Sequence, residues 1–498
     1  MRRTSMRRRI DKLRSLLPIC LTCAASFLLI AVFAAHGLVI VDDGTAEWPM
    51  DPVYSDASGD HESGGLDFGR LWIADDRDRV FLSIERGDVG TLHGVVLYID
   101  TDGDAGTGQP IEGIGADFVW DFGQYGGTVG GADAVIEVMQ GDVGLVVAPS
   151  VTSDRFVVAF SRHATIDDTT LFPMDEFTLV IRDSGPGGDR LPDTGSVQYR
   201  FGTNAQADVA MHPLGRMYPD DLRIVSYNMP FHAELAEVYK RVIRAIDPDI
   251  LCLQEIHDPV EDELVAWMND LFGGHWEASR VEPDLVVLSR FPISATYSIP
   301  GFGYELPQAN AAFLIDAPTA NAAQVLVVNV HAPCCGYDED RQLEIDAIMA
   351  FVRDAKEPGG RLHVEHGTPI FLVGDMNLVG LRQQQVTLTT GDVVNEDQFG
   401  PSFSPDWDET ALRDVMPRHI EAPFAYTWRN VKDKYQPGRL DYVVYTDSVI
   451  EVLNAYVLDT STMSPHVLEQ AGLSPDDSDV ASDHLPLVVD FGVASLRE

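Results

Sequence analysis

IFLVGDMN, residues 370–377, sets the pattern for the second half of this chain: an apolar, strand-like run that ends in Asp375 and Asn377. The two polar residues lie two apart, so in an extended segment they face the same side. The same construction recurs on either side of it. LRIVSYN (222–228) ends in Asn228, DILCLQE (249–255) in Glu255 and VLVVNVH (325–331) in His331, while ASDHLPLVVDF (481–491) sets Asp483 and His484 just before its apolar run. GRLDYVVY (438–445) places Asp441 at the opening of such a run instead. Between the runs, AELAEVYKRVIRAID (233–247) and RQLEIDAIMAFVRDA (341–355) carry apolar residues at helical spacing. Strands alternating with amphipathic helices predict an α/β domain over residues 221–498.

Carboxylates, amides and imidazoles gathered where strands end are what hydrolysis of a phosphate ester requires. A cation must neutralise the phosphoryl oxygens, a base must orient water, and the leaving oxygen must be stabilised. Oxygen ligands suit Mg2+ or Mn2+, which keep several waters and bind through one or two carboxylates. Glu255 is the expected ligand, standing where an otherwise apolar strand ends. Of Asp375 and Asn377, one can take a proton from water while the other holds that water or donates to a phosphoryl oxygen. His484, with Asp483 beside it and Asp441 as a second carboxylate, can be kept protonated and pointed at a scissile phosphate. Asn228 and His331 supply further donors. Taken singly, a histidine or glutamate at a strand end is more often a satisfied structural group; six such sites in series reverse that expectation.

LRIVSYN, PDILCLQE, the Asn-x-His of VVNVHAP, GDMN, RLDYVVY and SDHLPLV resemble, in order, the successive motifs of the endonuclease/exonuclease/phosphatase superfamily, the DNase I-like fold. LSRFPI (288–293) resembles the strand between the second and third of them. The resemblance implies a four-layered α/β sandwich, two packed sheets with helices outside, and a divalent-metal site at one edge. It implies Glu255 as metal ligand with Asn228 near it, and Asp375 activating the attacking water. Asn377, His331 and His484 would contact the phosphoryl group, and Asp441 and Asp483 would orient histidines and metal waters, Asp483 counting among the metal's neighbours. Asp441 is the expected partner of a histidine. Members of the DNase type also pair the equivalent of His331 with an acidic residue, for which the motifs offer no position.

Residues 37–205 read as all-β. Runs such as RVFLSIE (79–85), RFVVAFS (155–161) and FTLVIRD (177–183) are separated by Gly/Asp/Ser turns, and a β-sandwich is the economical architecture. Residues 206–220, without periodicity, are the expected linker. HGVVLYIDTDGDAGTG (93–108) sets Asp100, Asp102 and Asp104 two residues apart after a strand, with Asp117 further on, oxygen donors suited to Ca2+. An acidic turn without metal is the competing reading. The pattern resembles calcium-bearing β-sandwiches of extracellular hydrolases, some of which bind carbohydrate. That implies a carbohydrate or surface ligand, and leaves a catalytically inactive calcium-binding adhesion protein as the alternative function.

Residues 1–36 combine basic Arg7, Arg8, Arg9, Lys12 and Arg14 with an apolar stretch from Leu16 to Ala35. This reads as an export signal, with an uncleaved membrane anchor as the competing reading, and places the protein outside the cytoplasm: secreted, periplasmic or at the cell surface. The formal net charge of −43 over 498 residues disfavours broad adhesion to nucleic acid or anionic lipid, which carry the same sign. Arg429, Lys432, Lys434 and Arg439 form a local basic cluster. Five cysteines are too few for a disulfide scaffold. Cys252 is expected in the core, and adjacent Cys334 and Cys335 are expected in a loop or a vicinal disulfide, with metal binding as the competing reading.

Overall fold

The computed structural model describes Val41, Trp48 and Val209 and residues 50–61, 66–131, 134–203, 211–258, 260–300, 310–319 and 322–492. The expected leader lies outside the described residues, among which no helix is long and apolar enough to cross a membrane.

The C-terminal part is built from two mixed sheets. One runs, in spatial order, Glu277–Val281, Leu285–Ser289, Ile250–Gln254, Leu222–Asn228, Leu487–Gly492, Glu451–Val457 and Arg418–His419. The other runs Ile293–Ile299, Asn310–Ile315, Val325–His331, Ile370–Asp375, Asp441–Tyr445 and Arg413–Asp414. Alternation along each strand sorts the side chains. Ile224, Ile250, Cys252, Val287 and Val489 of the first sheet share a buried cluster with Phe313, Val327, Phe371, Val373 and Val443 of the second. The outward residues Val225, Tyr227, Leu251 and Leu253 pack with Tyr239, Ile243, Ile246, Leu264 and Met268 from helices Ala236–Ile246 and Glu261–Phe272. Leu326, Val328, Leu372 and Val444 pack with Ile345, Ile348, Met349 and Val352 from the long helix Asp338–Lys356. The result is the four-layered α/β sandwich. A buried bidentate pair, Arg223 to Asp490 at 2.6 and 2.8 Å, clasps its first strand to its last.

Pairing directions bring the polar motif residues to one edge. Leu222–Asn228 runs parallel to Ile250–Gln254 with Asn228 opposite Gln254, and Val325–His331 runs parallel to Ile370–Asp375 with His331 opposite Asp375. Asp441–Tyr445 runs antiparallel to Ile370–Asp375, so its first residue, Asp441, lies opposite Asp375. An opening residue and four closing ones therefore meet at the same end.

Residues 54–200 form two antiparallel sheets, one of five strands and one of seven, facing each other across Leu71, Ile73, Leu82, Phe156, Val158, Leu97, Phe118, Trp120, Leu179 and Ile181. This is the expected β-sandwich, with one addition. The opposite face of the five-stranded sheet is also apolar: Trp72, Ala74, Phe81, Val157 and Ala159 join the buried cluster that contains Val415, Phe424 and Tyr426 of the C-terminal part. A sheet buried on both faces reads as continuous apolar runs, which is why RVFLSIE and RFVVAFS lack clean alternation. The β-sandwich and the α/β sandwich pack into one compact unit, Leu38–Glu498. Residues 212–221, within and just after the expected linker, lie along the C-terminal part: His212 N donates to Ile420 O, Asn454 to Pro213 O and Tyr456 to Leu214 O.

Gly374 shows how tightly the edge is drawn. It has φ +141°, and a Cβ there would lie 2.0 Å from the carbonyl oxygen of Val330 on the parallel neighbour. Gly374→Ala should lower stability by at least ~1–3 kcal/mol from backbone strain alone, read by denaturant unfolding.

Candidate active site

Asp375 is the centre. Its Oδ2 accepts from Asn377 Nδ2 at 3.0 Å and Asn228 Nδ2 at 3.2 Å, its Oδ1 accepts from the Asn377 backbone N–H at 3.0 Å, and the Nε2 atoms of His331 and His484 stand 3.8 and 3.7 Å from Oδ2. Asn228, His331, Asp375, Asn377, Asp441 and His484 are each at most 8% exposed. Glu255 is partly exposed and accepts from Asn228 Nδ2 at 3.0 Å. Asn228 thus bridges the two sheets, one hydrogen toward Glu255 and the other toward Asp375. Below them a second amide pair, Gln254 Nε2 to Asn329 Oδ1 at 2.7 Å, ties the sheets together in the interior. Glu255 and Asn377 adopt φ of +64° and +48°, conformations that a side-chain-bearing residue keeps only where its surroundings enforce them.

Each histidine is held through Nδ1 by its own carboxylate. His484 pairs with Asp441 at 2.8 Å and His331 with Asp284 at 2.6 Å. Asp284, 1% exposed, is the acidic partner that the motifs did not locate. It stands immediately before the strand Leu285–Ser289, which is antiparallel to Ile250–Gln254, so like Asp441 it reaches the edge by opening a strand. EPDLVVLS carries the same signal as GRLDYVVY: a carboxylate directly ahead of an apolar run. Thr427 Oγ1 accepts from the backbone N–H of Asp441 at 2.8 Å, and Ser482 Oγ donates to Asn228 O and accepts from His484 N, fixing the frame from behind.

Three expectations are adjusted by this geometry. Asp483 is exposed and accepts from the Trp428 indole at 3.1 Å, which leaves Asp441 as the residue holding His484. The Asn377 amide donates to Ala332 O and to Asp375, so it orients the carboxylate rather than reaching outward. In the β-sandwich, Asp100, Asp102 and Asp117 bring carboxylate oxygens within 4.8 Å of one another, whereas Asp104 caps the backbone of Gly106. Cys252 is buried in the core, and Cys334 and Cys335 are exposed free thiols. Of the basic cluster, Arg429 is paired with Asp459 and Asp479 and Arg439 with Asp414; Lys432 and Lys434 are exposed.

Electrostatics divides the roles. Burial raises the Asp375 pKa, the cationic His484 and His331 pull it back, and the balance falls at about 6, near neutrality as a general base requires. Burial opposes charge on His484, but Asp441 and then Asp375 outweigh it and carry its pKa to about 10. His331 goes to about 9 for the same reasons, through Asp284 first and then Asp375 and Glu255. These shifts favour the cationic form of both imidazoles at neutral pH, in which each Nε2 carries a proton. A divalent cation fits the donor set. Asn228 Oδ1 and Asp441 Oδ1 are buried oxygens without a hydrogen-bond partner, and the surrounding ligands are hard oxygens. Four carboxylates (Glu255, Asp284, Asp375, Asp441) against two imidazolium ions leave the net negative charge that such a cation cancels.

Activity that needs cationic His484 and ionised Asp375 should fall as pH drops through the Asp375 pKa and again as it rises through the histidine values. A bound cation lowers all three, so the informative reading is a difference between proteins. In Asp441→Asn the charge that holds the His484 proton is gone, and the alkaline limb of the pH–rate profile should move to lower pH. Asp284→Asn should leave the fold intact and lower kcat by ~10²-fold or more, the scale of a misoriented acid–base group; an unchanged rate would make Asp284 a structural residue only.

The model of the Endonuclease/Exonuclease/phosphatase family matches residues 225–484, the stretch that carries every residue of this site. No curated protein matches the chain. Solved structures similar to it include truncated TDP2 from Caenorhabditis elegans (16% identity, TM-score 0.37, 55% of this chain and 98% of that one). The human Nocturnin catalytic domain is similar at 17% identity and TM-score 0.35, over 58% of this chain and 97% of that one. An endonuclease/exonuclease/phosphatase from Beutenbergia cavernae is similar at 18% identity and TM-score 0.34, over 55% and 72%. With the two-sheet frame and the strand-end site in place, the chain belongs to the endonuclease/exonuclease/phosphatase family and is a metal-dependent phosphoesterase of the DNase I-like fold.

Proposed function

We propose that this protein is an exported hydrolase that cleaves a phosphodiester or phosphomonoester by attack of water, with Mg2+ or Mn2+ held by Glu255 and Asn228. The observation that supports this reading is the convergence of both Nε2–H groups and the Asn228 amide on Asp375. When bound, the cation supplies positive charge to the phosphoryl oxygens and to the leaving oxygen. The protein groups do the rest. Asp375 accepts the proton of the attacking water. His331 and His484, too far from Asp375 for a hydrogen bond at 3.8 and 3.7 Å, are free to donate from Nε2 to a phosphoryl oxygen seated between them. One of them returns a proton to the departing oxygen. Asp284 and Asp441 keep both rings aimed and charged, and Asn377 keeps Asp375 aimed.

Two finer parts come from the sequence: export by the leader, and Ca2+ at Asp100, Asp102 and Asp117 in the β-sandwich. The test of the central reading is hydrolysis of bis-p-nitrophenyl phosphate with Mg2+ or Mn2+. Glu255→Gln and Asp375→Ala should each lower the rate by ~10²-fold or more while the unfolding midpoint stays near that of the wild type, and a chelator should abolish turnover. Wild type no faster than Asp375→Ala would reject the hydrolase reading.

A further inference from the structure

Lysine is scarce here. The 498 residues contain five, and two of them, Lys432 and Lys434, sit on one short hairpin beside the active site. The hairpin closes where Trp428 bridges Gly438, and Trp428 also bridges His484 and donates to Asp483. Lys434 is therefore at most six residues of extended chain, about 20 Å, from a residue bonded to the catalytic edge. Of the other described lysines, Lys356 donates to the carbonyls of Pro405 and Asp406 and Lys240 lies over the Trp267 ring beside Glu237. The hairpin pair is exposed.

The β-sandwich builds the other half of this surface. Gln140 Nε2 donates to Asn430 O and Asp433 O, gripping the hairpin from below. Tyr125, held in the left-handed region at φ +56° and bonded through its hydroxyl to His93 at 2.7 Å, presents its ring to Tyr435 with centroids 4.9 Å apart. Lys434 Nζ lies 4.9 Å from the Tyr435 ring and 5.5 Å from that of Tyr125. Tyr435 is 45% exposed. The sandwich also fixes the second loop of the rim: Ser150 donates to Leu378 O, Thr152 N to Gly380 O, and Thr152 Oγ1 accepts from Arg382 N.

We propose that the hairpin Trp428–Gly438, together with Tyr125 of the β-sandwich, is a subsite for the part of the substrate beyond the scissile phosphate, and that its occupant is a short single strand of nucleotides. The inference rests on the phosphoesterase reading of the adjoining site. Flat exposed tyrosine beside exposed ammonium groups suits a base and its neighbouring phosphate, the two features a single strand repeats. A lipid surface would call for bulky apolar side chains at the tip, where Val431 alone is offered among the exposed apolar residues of the hairpin besides Tyr435. The chain's charge of −43 keeps the binding local and favours a strand end over a long duplex.

The test measures binding of a fluorescently labelled single-stranded oligonucleotide to the full chain carrying Glu255→Gln, by anisotropy with Mg2+ present. Adding Lys432→Ala and Lys434→Ala should weaken binding by ~10-fold at low salt and reduce the slope against log salt by about 0.7 for each phosphate that is no longer neutralised. Tyr435→Ala should weaken it by roughly tenfold because a base can no longer stack there. Tyr125→Gly, which suits the positive φ of that turn, should weaken it in the same direction. With Glu255 restored, each of these variants should hydrolyse bis-p-nitrophenyl phosphate like the wild type, which also shows that they fold. Equal oligonucleotide affinity with and without the lysines overturns the proposal, as does lysine-dependent binding to phosphatidylserine vesicles with none to the oligonucleotide. Lysine-dependent oligonucleotide binding in a protein inert toward bis-p-nitrophenyl phosphate leaves the subsite standing and removes the hydrolase reading instead.

Discussion

A carboxylate removed from water keeps its charge only if the protein supplies partners, and Asp375 is 1% exposed. Its partners come from separate elements: Asn228 from the other sheet, His331 from the parallel neighbour, His484 from the loop before the last strand, Asn377 from its own turn. They can reach one oxygen only if the two sheets pack face to face with the same ends of their strands at one edge. The interior below serves that arrangement, with apolar residues of both sheets interleaved and the Gln254–Asn329 amide pair fixing one sheet against the other. A register slip of one residue in any of these strands would turn its terminal polar side chain to the opposite face. The site and the core are therefore one constraint seen at two depths.

What the sequence made legible follows from that constraint. Asn228, Glu255, His331 and Asp375 close apolar strands, and a polar residue at the end of a buried run has few reasons to be there except an edge site. Asp441 was legible by the reverse pattern, because an antiparallel strand reaches the same edge with its first residue. Asp284 carries that reverse pattern too, but acidic residues before strands are common in so acidic a chain, and only the pairing of Leu285–Ser289 with Ile250–Gln254 singles it out. Asp483 was harder to place. Neighbouring residues in an extended segment point to opposite faces, so if His484 turns inward Asp483 turns out, toward Trp428. The double-faced packing of the β-sandwich was hidden for a different reason. Apolar runs show that a strand is buried, not what lies on each side of it.

The β-sandwich does more than extend the buried core of its partner. The segments it holds, 378–382 and 428–438, follow Asn377 and precede Asp441, so each is continuous in chain with a residue that orients the reacting groups. Loops of this kind are ordinarily the mobile part of an active site. Here the side chains of Gln140, Ser150 and Thr152 bind their backbones, and the apolar packing of Trp72 and Phe81 against the cluster around Phe424 and Tyr426 anchors the whole. Rim and catalytic edge are thereby held by one continuous core, which runs from Trp72 and Phe81 through Phe424 and Tyr426 to Ile224, Phe371 and Val443 between the two sheets.

The two histidines, finally, cannot share the base's role with Asp375. A ring whose Nδ1 is held by a carboxylate and whose Nε2 faces another is stabilised in its charged form, and both His331 and His484 are shifted upward through their partners. A cationic imidazole has no lone pair with which to take a proton from water. Asp375 is pushed toward neutrality by its burial first and by the neighbouring Asp441, against the pull of His484 and His331. Identical side-chain types thus acquire different duties from their surroundings: Asp284 and Asp441 aim, Asp375 accepts, and Glu255, the one left partly open at the rim, is placed to meet a cation that keeps several of its waters.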